Sequence, residues 1–411
     1  MPGGIPGSGS VSTPIYWDRG EAQFMYDVDG NRYLDLAAGQ GSLILGNSLP
    51  EVRDAICAQA QSSYYVQIPV PAVVELAELL CARFPAADRV RFVESGTKAA
   101  NLAVRLGRAF SGREKCATFI GGYHGIWDGA LVRPPLRYSG GVIPVDALPG
   151  VPRSATRESV LLPWNELERC LEIVESQASE IGTLIMEPVI GDGYVPPRPG
   201  FLQAIREACD RHGIVLVFDE AITQSLAPGG AQEHFGVVPD LTTLAKAAIG
   251  GGLPIAAVGG RAEIMELTSP LSDGPQVPYG STFASHALTV AAGLAQVKLL
   301  TADKYRRLHE LGDRLRAGVA EIRERTGRHE LSATGIGNLT HLHWNARVPS
   351  TYAEHLECDG AVIGRLLAAL LDAGYITAGG GRLHVTAAMT DDDIDGFVAD
   401  LEAIVRRDLA G

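Results

Sequence analysis

Residues 214–252 read IVLVFDEAITQSLAPGGAQEHFGVVPDLTTLAKAAIGGG, and they contain the strongest pattern in the chain. The first five, IVLVF, are apolar and rich in β-branched side chains, which predicts a short buried strand. This run ends on Asp219 and Glu220, and a second apolar segment, 241–244, ends close to Lys246. Ligands bind at strand ends in open α/β sheets, and lysine is costly to bury unless it is paired or used covalently. We therefore predict that Asp219 and Lys246 form two halves of one cofactor site.

The composition excludes several classes of protein. The chain has 411 residues, more than one hydrophobic core normally serves, so we expect two or more domains. Its formal net charge of −13 argues against nucleic acid or membrane partners, because both favour basic patches. The six cysteines show no CxxC spacing, no apolar run reaches transmembrane length, and the first residues do not resemble a signal peptide. We expect a cytoplasmic protein with reduced thiols.

Strand-like and helix-like segments alternate through the middle of the chain, a pattern that predicts parallel βαβ units. Residues 133–158 are rich in Pro, Gly, Arg and Ser, which predicts a long loop typical of a lid or binding segment. The first 14 residues are Gly/Pro/Ser-rich and are expected to be flexible. A hairpin is predicted around Asp29-Gly30-Asn31. Predicted strands are 90–93, CATFI (116–120), SVLLP (159–163), TLIMEPVI (183–190), IVLVFDE (214–220) and LTTLA (241–245), and predicted helices are 51–61, 73–84, a segment after SGT (95–97), 167–177 and 201–212.

Ser95-Gly96-Thr97 follows a predicted strand and precedes a predicted helix. Backbone N–H groups at a helix N-terminus can bind an anion such as phosphate. The alternative is that Ser95 is simply a helix cap, since Ser favours that position. Lys246 lies among apolar neighbours, which favours a Schiff-base lysine over a surface lysine.

A metal site is the alternative interpretation of Asp219. It would require further ligands, and only Glu187 and Glu220 come near on strand ends. His341 and His343 alternate along a predicted strand, but no third ligand is apparent. We therefore predict no metal site.

Six ordered motifs carry a family resemblance: SGT, GGYHG, EPVIGDG, VFDEA, LAKAAIGGGLP and GSTFASHAL. With these motifs the chain resembles the class III (ω-type) aminotransferases, which are pyridoxal-phosphate (PLP) enzymes of fold type I. The resemblance runs from about Pro14 to the C-terminus. The strings DVDGNRYLDL, RFVESGTKAANLAVRLGRAFSGR and LTTLAKAAIGGGLPIAAVGGR are most similar to the branch that contains glutamate-1-semialdehyde 2,1-aminomutase and β-phenylalanine aminotransferase.

The resemblance implies an α/β fold with a mostly parallel, seven-stranded sheet in a large PLP-binding domain. This domain would comprise residues 51–298. The segment 1–50 would contribute to a smaller α+β domain, formed mainly by residues 299–411. Predicted helices at 305–326, 361–373 and 391–407, and predicted strands at 339–344 and 382–386, agree with an α+β arrangement there.

Residue roles follow from the same resemblance. Lys246 would hold PLP as an imine and move a proton between the substrate carbon and the cofactor, and Asp219 would pair with the protonated pyridine nitrogen. These two would be the catalytic residues. Thr282 would reach the phosphate from a neighbouring subunit, which implies a homodimer with shared active sites. The other cofactor-binding residues would be Ser95, Gly96 and Thr97 at the phosphate, Tyr123 and Ala221 on the ring, Asp192 near the cofactor hydroxyl, and Glu187 as an organiser.

The substrate half of the site departs from the family pattern. Many relatives have an arginine near the position of His384, and others have one in the N-terminal segment, where this chain reads IPGSGSVS. Arginine binds carboxylates bidentately, and histidine replaces it poorly. We therefore predict that a substrate carboxylate is not bound in the family's usual way. The candidates to replace the missing arginine are Arg382, if it shares a regular strand with His384, and Arg133, Arg137 and Arg153 in the lid-like loop; Lys98 is a further departure, since relatives read SGTEA where this chain reads SGTKA.

The leading functional hypothesis is an aminotransferase that moves an amino group from an amine or amino acid to a carbonyl acceptor through pyridoxamine phosphate. The alternative is an aminomutase of the glutamate-1-semialdehyde type, in which donor and acceptor are one molecule. A PLP-dependent racemase or lyase is a third hypothesis. A non-catalytic relative is the fourth, and the intact pair of Asp219 and Lys246 argues against it, because a binding protein needs no Schiff-base lysine.

Overall fold

A computed structural model of the chain describes residues 15–64, 69–135, 142–274 and 276–408. The predicted flexible segment 1–14 and Arg137 lie outside the described residues. The strands are β1 (Trp17–Glu21), β2 (Phe24–Asp27), β3 (Arg32–Leu36), β4 (Arg89–Val93), β5 (Lys115–Phe119), β6 (Val132–Arg133), β7 (Asp146–Ala147), β8 (Ser159–Leu162), β9 (Ile181–Met186), β10 (Val215–Asp219), β11 (Leu241–Ala245), β12 (Ala256–Gly260), β13 (Leu331–Ile336), β14 (Leu339–Trp344), β15 (Tyr375–Thr377) and β16 (Arg382–His384). The helices are α1 (Ala38–Gly41), α2 (Pro50–Ser62), α3 (Pro71–Arg83), α4 (Gly96–Ser111), α5 (Arg153–Arg157), α6 (Leu167–Ser176), α7 (Phe201–His212), α8 (Gly230–Phe235), α9 (Ala262–Met265), α10 (Ala287–Leu299), α11 (Ala302–Thr326), α12 (Tyr352–Leu356), α13 (Gly360–Asp372) and α14 (Asp391–Asp408).

The chain divides into two compact units. One comprises Ala55–Asp192 and Pro197–Lys298, and the other comprises Met1–Asp54, Gly193–Pro196 and Leu299–Gly411. In the described residues, no helix is both long enough and apolar enough to cross a membrane.

The first unit is built on a seven-stranded sheet with the order β4-β12-β11-β10-β9-β5-β8. All neighbours are parallel except β12, which runs antiparallel to both β11 and β4. The prediction of a mostly parallel sheet is confirmed. Every residue of β8, β9, β10 and β11 is buried, as expected for strands covered on both faces.

Helix α4 covers the centre of this sheet. Its apolar positions, which include Ala99, Leu102, Ala103 and Leu106, recur at helical spacing and are buried against the strands. The side chain of Ser95 caps the helix by accepting a hydrogen bond from the backbone N–H of Lys98. The predicted helix after SGT is therefore confirmed.

The second unit contains a four-stranded sheet, β1-β2-β3-β15, and a three-stranded antiparallel sheet, β13-β14-β16. The predicted hairpin corresponds to the antiparallel pair β2 and β3. Helices α11, α13 and α14 bury their apolar faces in one core with both sheets.

One sequence prediction was wrong. Residues 133–158 are not a continuous structureless loop, because β6 pairs with β7 and the helix α5 follows. These elements are short, and the Pro and Gly residues around them hide any periodicity. The residues 136–141 inside this stretch lie outside the described part of the chain.

Helix α10 holds the turn that follows β11. The side chain of Gln296, which is buried, donates a hydrogen bond to the carbonyl oxygen of Ala247 at 2.6 Å. Gly293 lies so close to the carbonyl group of Ile249 that a Cβ atom would overlap it. The position of this turn therefore depends on a glycine in a helix interior, where glycine is otherwise unfavourable.

This contact gives a test of the packing. We expect Gly293→Ala to lower the free energy of unfolding by about 1–3 kcal/mol, because a backbone carbonyl has to move to admit the methyl group. The matched control is Gly364→Ala on α13, where a Cβ would meet no atom within 4 Å. That substitution should instead raise the free energy of unfolding by about 0.5–1 kcal/mol. Urea denaturation measures both, and equal shifts in the two variants would contradict the assignment.

Candidate functional site

Asp219 is the last residue of β10, and its carboxylate is buried at the edge of the seven-stranded sheet. Thr243 is its partner on the adjacent parallel strand β11, and the Thr243 hydroxyl donates a hydrogen bond to Asp219 Oδ1 at 2.7 Å. Lys246 follows three residues after Thr243, immediately beyond the end of β11. Because the carboxyl ends of adjacent parallel strands lie at the same end of a sheet, the structure brings Asp219 and Lys246 to the same region.

His124 is the second partner of this carboxylate. Its Nδ1 lies 2.8 Å from Asp219 Oδ2, and since the carboxylate can only accept, Nδ1 carries the hydrogen. Burial disfavours the charged imidazole, but the hydrogen bond and charge of Asp219, with the charge of Glu187, raise the pKa of His124 above its usual value. His124 Nε2 is buried and has no hydrogen-bond partner among the described residues. The hydrogen bond from His124 thus fixes the orientation of the Asp219 carboxylate, and no local sequence pattern indicates this contact.

Glu187 follows the end of β9 and organises the loop after β5. Its Oε2 accepts hydrogen bonds from the backbone N–H groups of Tyr123, at 3.1 Å, and Gly191, at 3.0 Å. Burial raises the pKa of Glu187 to about 7, with an opposing effect from His124 and a further increase from Asp219. The side chain of Tyr123 is 59% exposed, so its ring is available to stack on a bound group.

The N-terminus of α4 lies beside the lysine turn and the Tyr123 loop. A Cβ on Gly96 would lie 3.6 Å from the Cβ of Ala245, the residue before Lys246. Gly125, with φ +91°, approaches Thr97 so closely that a side chain there would overlap Thr97. The SGT, GGYHG and LAKAA motifs therefore meet in space. The first N–H groups of a helix lack intrahelical partners, so Gly96 and Thr97 present donors suited to a phosphate.

Lys246 has an unusual backbone conformation. Its φ is +53°, in the left-handed region that residues other than glycine rarely adopt. The Lys246 carbonyl oxygen accepts a hydrogen bond from the N–H of Gly250 at 2.7 Å, which closes the turn. Such a conformation costs about 1–3 kcal/mol and persists where surrounding packing enforces it, often at functional sites.

The remaining predicted residues differ in whether they contact the Asp219 carboxylate. The backbone N–H of Ala221 donates to Asp219 Oδ1 at 3.3 Å, and Asp192 is half-buried in the turn after β9. Glu220, by contrast, serves the fold: its carboxylate accepts hydrogen bonds from the N–H of Ala231 and the side chain of Gln232, at 2.5 and 2.8 Å. Burial raises the pKa of Glu220 to about 7 against these hydrogen bonds. This carboxylate is therefore already engaged in holding α8.

Thr282 is exposed at the surface of its unit. It lines an open depression of about 620 Å³ together with Tyr279 and other residues of the segment 279–285. Phe283, directly after it, is 59% exposed. Among the described residues, no hydrogen bond of the Thr282 side chain is found.

Lys98, the lysine of the SGTKA motif, pairs with a residue close to it in the sequence. Lys98 forms an ion pair with Glu94, four residues before it and ahead of the helix cap. Lys98 is exposed, and exposed pairs of this kind contribute little to stability.

His384 and Arg382 lie in β16, so the condition that both share a regular strand is met, and their side chains point to the same face. His384 is fully buried: its Nδ1 lies 3.0 Å from the carbonyl oxygen of Ala37, and its Nε2 lies 2.5 Å from the hydroxyl of Tyr194. A carbonyl only accepts, so Nδ1 donates to Ala37. Both nitrogens of His384 are thus engaged in hydrogen bonds within the fold. Of the loop arginines that the structure describes, Arg133 and Arg153 are exposed.

Sequence reasoning missed three features of these sites. It assigned no role to His124, although this residue follows Tyr123 in the GGYHG motif. It did not identify Thr243 as a hydrogen-bond donor to the Asp219 carboxylate, although LTTLA was predicted to be a strand of the same sheet. It also found no third residue near His341 and His343, whereas His355 lies beside them.

The chain is similar to known proteins over almost its whole length. A model of the aminotransferase class-III family matches residues 7–405. A glutamate-1-semialdehyde 2,1-aminomutase from Desulforudis audaxviator is 38% identical, with 100% of this chain and 96% of that protein covered. An ω-transaminase structure from Sphaerobacter thermophilus superimposes with a TM-score of 0.91 at 33% identity, covering 98% of this chain and 93% of that one.

A third comparison concerns the cofactor. The structure of a glutamate-1-semialdehyde-aminomutase variant from Pseudomonas aeruginosa PAO1, in complex with PMP, has a TM-score of 0.86 at 27% identity and covers 96% of this chain and 88% of that one. The predicted family resemblance and fold-type I architecture are confirmed. The chain therefore belongs to the aminotransferase class-III family, and it is a PLP-dependent enzyme of the transaminase and aminomutase group.

Proposed function

We propose that the chain is an aminotransferase that moves an amino group between a primary amine or amino acid and a carbonyl acceptor, with PLP held between Asp219 and Lys246. The observation that carries this proposal is the buried Asp219 carboxylate. It accepts hydrogen bonds from His124 and Thr243, close to the end of β11, the strand that Lys246 follows. When bound, PLP supplies an electron sink that stabilises negative charge on the carbon next to the nitrogen.

Lys246 has two tasks in this proposal. Its Nζ would hold the cofactor through a covalent bond. When released from that bond, Nζ would serve as the base that takes the proton from the substrate carbon bearing the amino group and as the acid that returns it. The positive φ of Lys246 and the clamp of Gln296 on the turn orient this side chain.

Asp219 keeps the pyridine nitrogen protonated. A buried carboxylate is stabilised only if its lone pairs are satisfied, and here Oδ1 accepts from Thr243 while Oδ2 accepts from His124. A carboxylate offers about four acceptor sites, and Thr243, Ala221 and His124 occupy three of them, so one remains for a pyridinium N–H. The Nδ1–H group of His124 donates to Oδ2 and so fixes the orientation of the carboxylate.

The other predicted residues complete the cofactor site. Ser95 caps α4, so that the N–H groups of Gly96 and Thr97 bind the phosphate. Tyr123 stacks on one ring face, and Ala221 contacts the ring. Glu187 fixes the Tyr123 loop, and Asp192 lies near the cofactor hydroxyl. Thr282 binds the phosphate of a neighbouring subunit, and its exposure in this chain is consistent with a homodimer.

The units correspond, in this proposal, to the large and small domains predicted from the sequence. At the position where the resemblance implies an arginine, this chain has His384, and both of its nitrogens are engaged in hydrogen bonds within its own unit. A histidine engaged in this way gives a substrate carboxylate no bidentate partner. We therefore propose that amines without a carboxylate next to the amino carbon are accepted as donors.

An aminomutase is the second candidate. The observation that favours it is the 38% identity to glutamate-1-semialdehyde 2,1-aminomutases over 100% of this chain in one case and 83% in another. In such an enzyme the amino group moves from carbon 2 to carbon 1 of one molecule.

A single-turnover experiment separates the two candidates. Holoenzyme mixed with one equivalent of a primary amine and no acceptor should release one carbonyl product per site, because an aminotransferase keeps the amino group. Lys246→Ala, which lacks the proton-transferring Nζ, is the control and should release none. Product analysis after glutamate-1-semialdehyde addition completes the test. Formation of the 1-amino isomer, with no carbonyl release from any amine, would refute the aminotransferase proposal.

His124 should set the affinity for the cofactor through Asp219. His124→Phe keeps a ring of similar size but removes a charge-assisted hydrogen bond, which contributes about 1.5–3 kcal/mol. We expect PLP to bind the apo variant roughly 10- to 150-fold more weakly. Titration of apoenzyme with PLP measures this, and His124→Asn, which retains a donor, should recover part of the loss. Wild-type affinity in His124→Phe would contradict the role.

Mixed dimers test whether the site is shared. Lys246→Ala and Thr282→Ala chains are each expected to be impaired alone. If Thr282 acts across the interface, half of the random dimers have one intact site, so activity should recover to about one quarter of the wild-type value. The activity of refolded 1:1 mixtures provides the measurement. Absence of recovery, with heterodimers detected by mass, would show that Thr282 does not act across the interface.

A further inference from the structure

Three histidines meet in the unit that contains both termini. His341 and His343 lie two residues apart on β14, so they face the same side of the sheet, and His355 lies in α12. One ligand nitrogen of each lies within 4.8 Å of those of the other two. The rings of His341 and His343 stack with centroids 4.5 Å apart, and the ring of His355 packs edge-on against both.

Hydrogen bonds select the tautomers of the two strand histidines. His341 Nδ1 lies 2.8 Å from the carbonyl oxygen of Leu342, so Nδ1 carries the hydrogen and Nε2 carries the lone pair. The hydroxyl of Thr334 donates to the carbonyl oxygen of Gly193 at 2.5 Å and therefore accepts from His343 Nε2 at 2.6 Å. The lone pair of His343 is then on Nδ1. Metal-ligating histidines are typically held by an outer hydrogen bond of this kind.

Cys358 lies beside one of these histidines. Its Sγ lies 3.7 Å from His343 Nδ1, the nitrogen that carries the lone pair. For a tetrahedral Zn²⁺ ion with Zn–N and Zn–S distances of about 2.0 and 2.3 Å, the nitrogen and sulfur ligands are about 3.5 Å apart. The observed separation therefore already agrees with shared coordination.

The backbone is built to admit these rings. Gly193, with φ +88°, has the His355 ring 2.9 Å from where a Cβ would lie. Gly381, with φ +103°, has the His341 ring at the same distance. The short helix that carries His355 is fixed by a capping box between Thr351 and Glu354. Glycine is thus required at both contacts.

From this geometry we propose that His341, His343, His355 and Cys358 form a Zn²⁺ site. Three imidazole nitrogens and one thiolate are ligands that Zn²⁺ favours over Mg²⁺ and Ca²⁺. The three nitrogens lie within 4.8 Å of one another and ideal tetrahedral nitrogens lie about 3.3 Å apart, so the imidazoles rotate inward and the Cys358 side chain turns toward them when the ion binds. His341 and His343 are buried, whereas His355 and Cys358 are partly exposed and provide the route of entry.

Charge explains why the thiolate is needed. Arg382 is paired with His341 across β14 and β16, so its cation lies on the same face as the site. Zn²⁺ with three neutral imidazoles would add two positive charges there, and a thiolate reduces this to one. Burial raises the pKa of the Cys358 thiol, so Zn²⁺ binding must break its S–H bond, form a Zn–S bond and release one proton to solvent.

Zinc titration of the chelator-treated holoenzyme tests the proposal. Isothermal calorimetry and metal analysis should find one Zn²⁺ per chain and a higher melting temperature in its presence. Because removal of an outer-shell partner costs about 10- to 100-fold in affinity, loss of the ligand in His355→Ala should cost at least about 100-fold. Thr334→Val, which removes only the outer hydrogen bond, should cost about 10- to 100-fold.

The exposed His329 in the same unit provides the matched control, and His329→Ala should bind Zn²⁺ as the wild type does. Co²⁺ should give a sulfur-to-metal charge-transfer band that Cys358→Ser abolishes. Far-UV circular dichroism verifies that each variant is folded. The proposal is overturned if the wild type does not bind Zn²⁺ at micromolar concentration, or if His355→Ala binds it equally well.

Discussion

The unit built on the seven-stranded sheet depends on one constraint, which is the buried carboxylate of Asp219. A carboxylate removed from water is stable only if its oxygens are paired, and each pairing group comes from a different part of the chain. Thr243 is supplied by the neighbouring strand and His124 by the loop after β5. Strand order, strand register and loop path must therefore all be correct before this one charge is satisfied.

The same constraint links the charges around it. The charge of the His124 imidazole lowers the pKa of Glu187 and so opposes the increase that burial causes. Glu187 in turn binds the backbone of Tyr123. A single histidine thereby couples the electrostatics of the sheet edge to the position of the aromatic loop, and a change of its charge alters both.

The sequence predicted the parts of this unit that depend on local patterns. β10 and β11 were found because β-branched and apolar residues are concentrated there, and parallel order then placed Asp219 near Lys246. β12 was not found, because AAVGG consists of small residues with little strand preference. His124 was not assigned, because its contact with Asp219 joins residues 95 positions apart and no local pattern encodes such a pairing. Cys358 and His355 were not assigned either, because no local pattern encodes their contacts with the histidines of β14.

The two histidine arrangements in the terminal unit show how a hydrogen bond decides what an imidazole can do. In His384 both nitrogens are engaged within the fold, one with the carbonyl oxygen of Ala37 and the other with the hydroxyl of Tyr194. In His341 and His343 one hydrogen bond selects the tautomer and so determines which nitrogen carries the lone pair. The same residue type thus anchors one strand and, in the proposed metal site, supplies donors on the neighbouring strand. The chemistry of each position follows from its partners and not from the residue type alone.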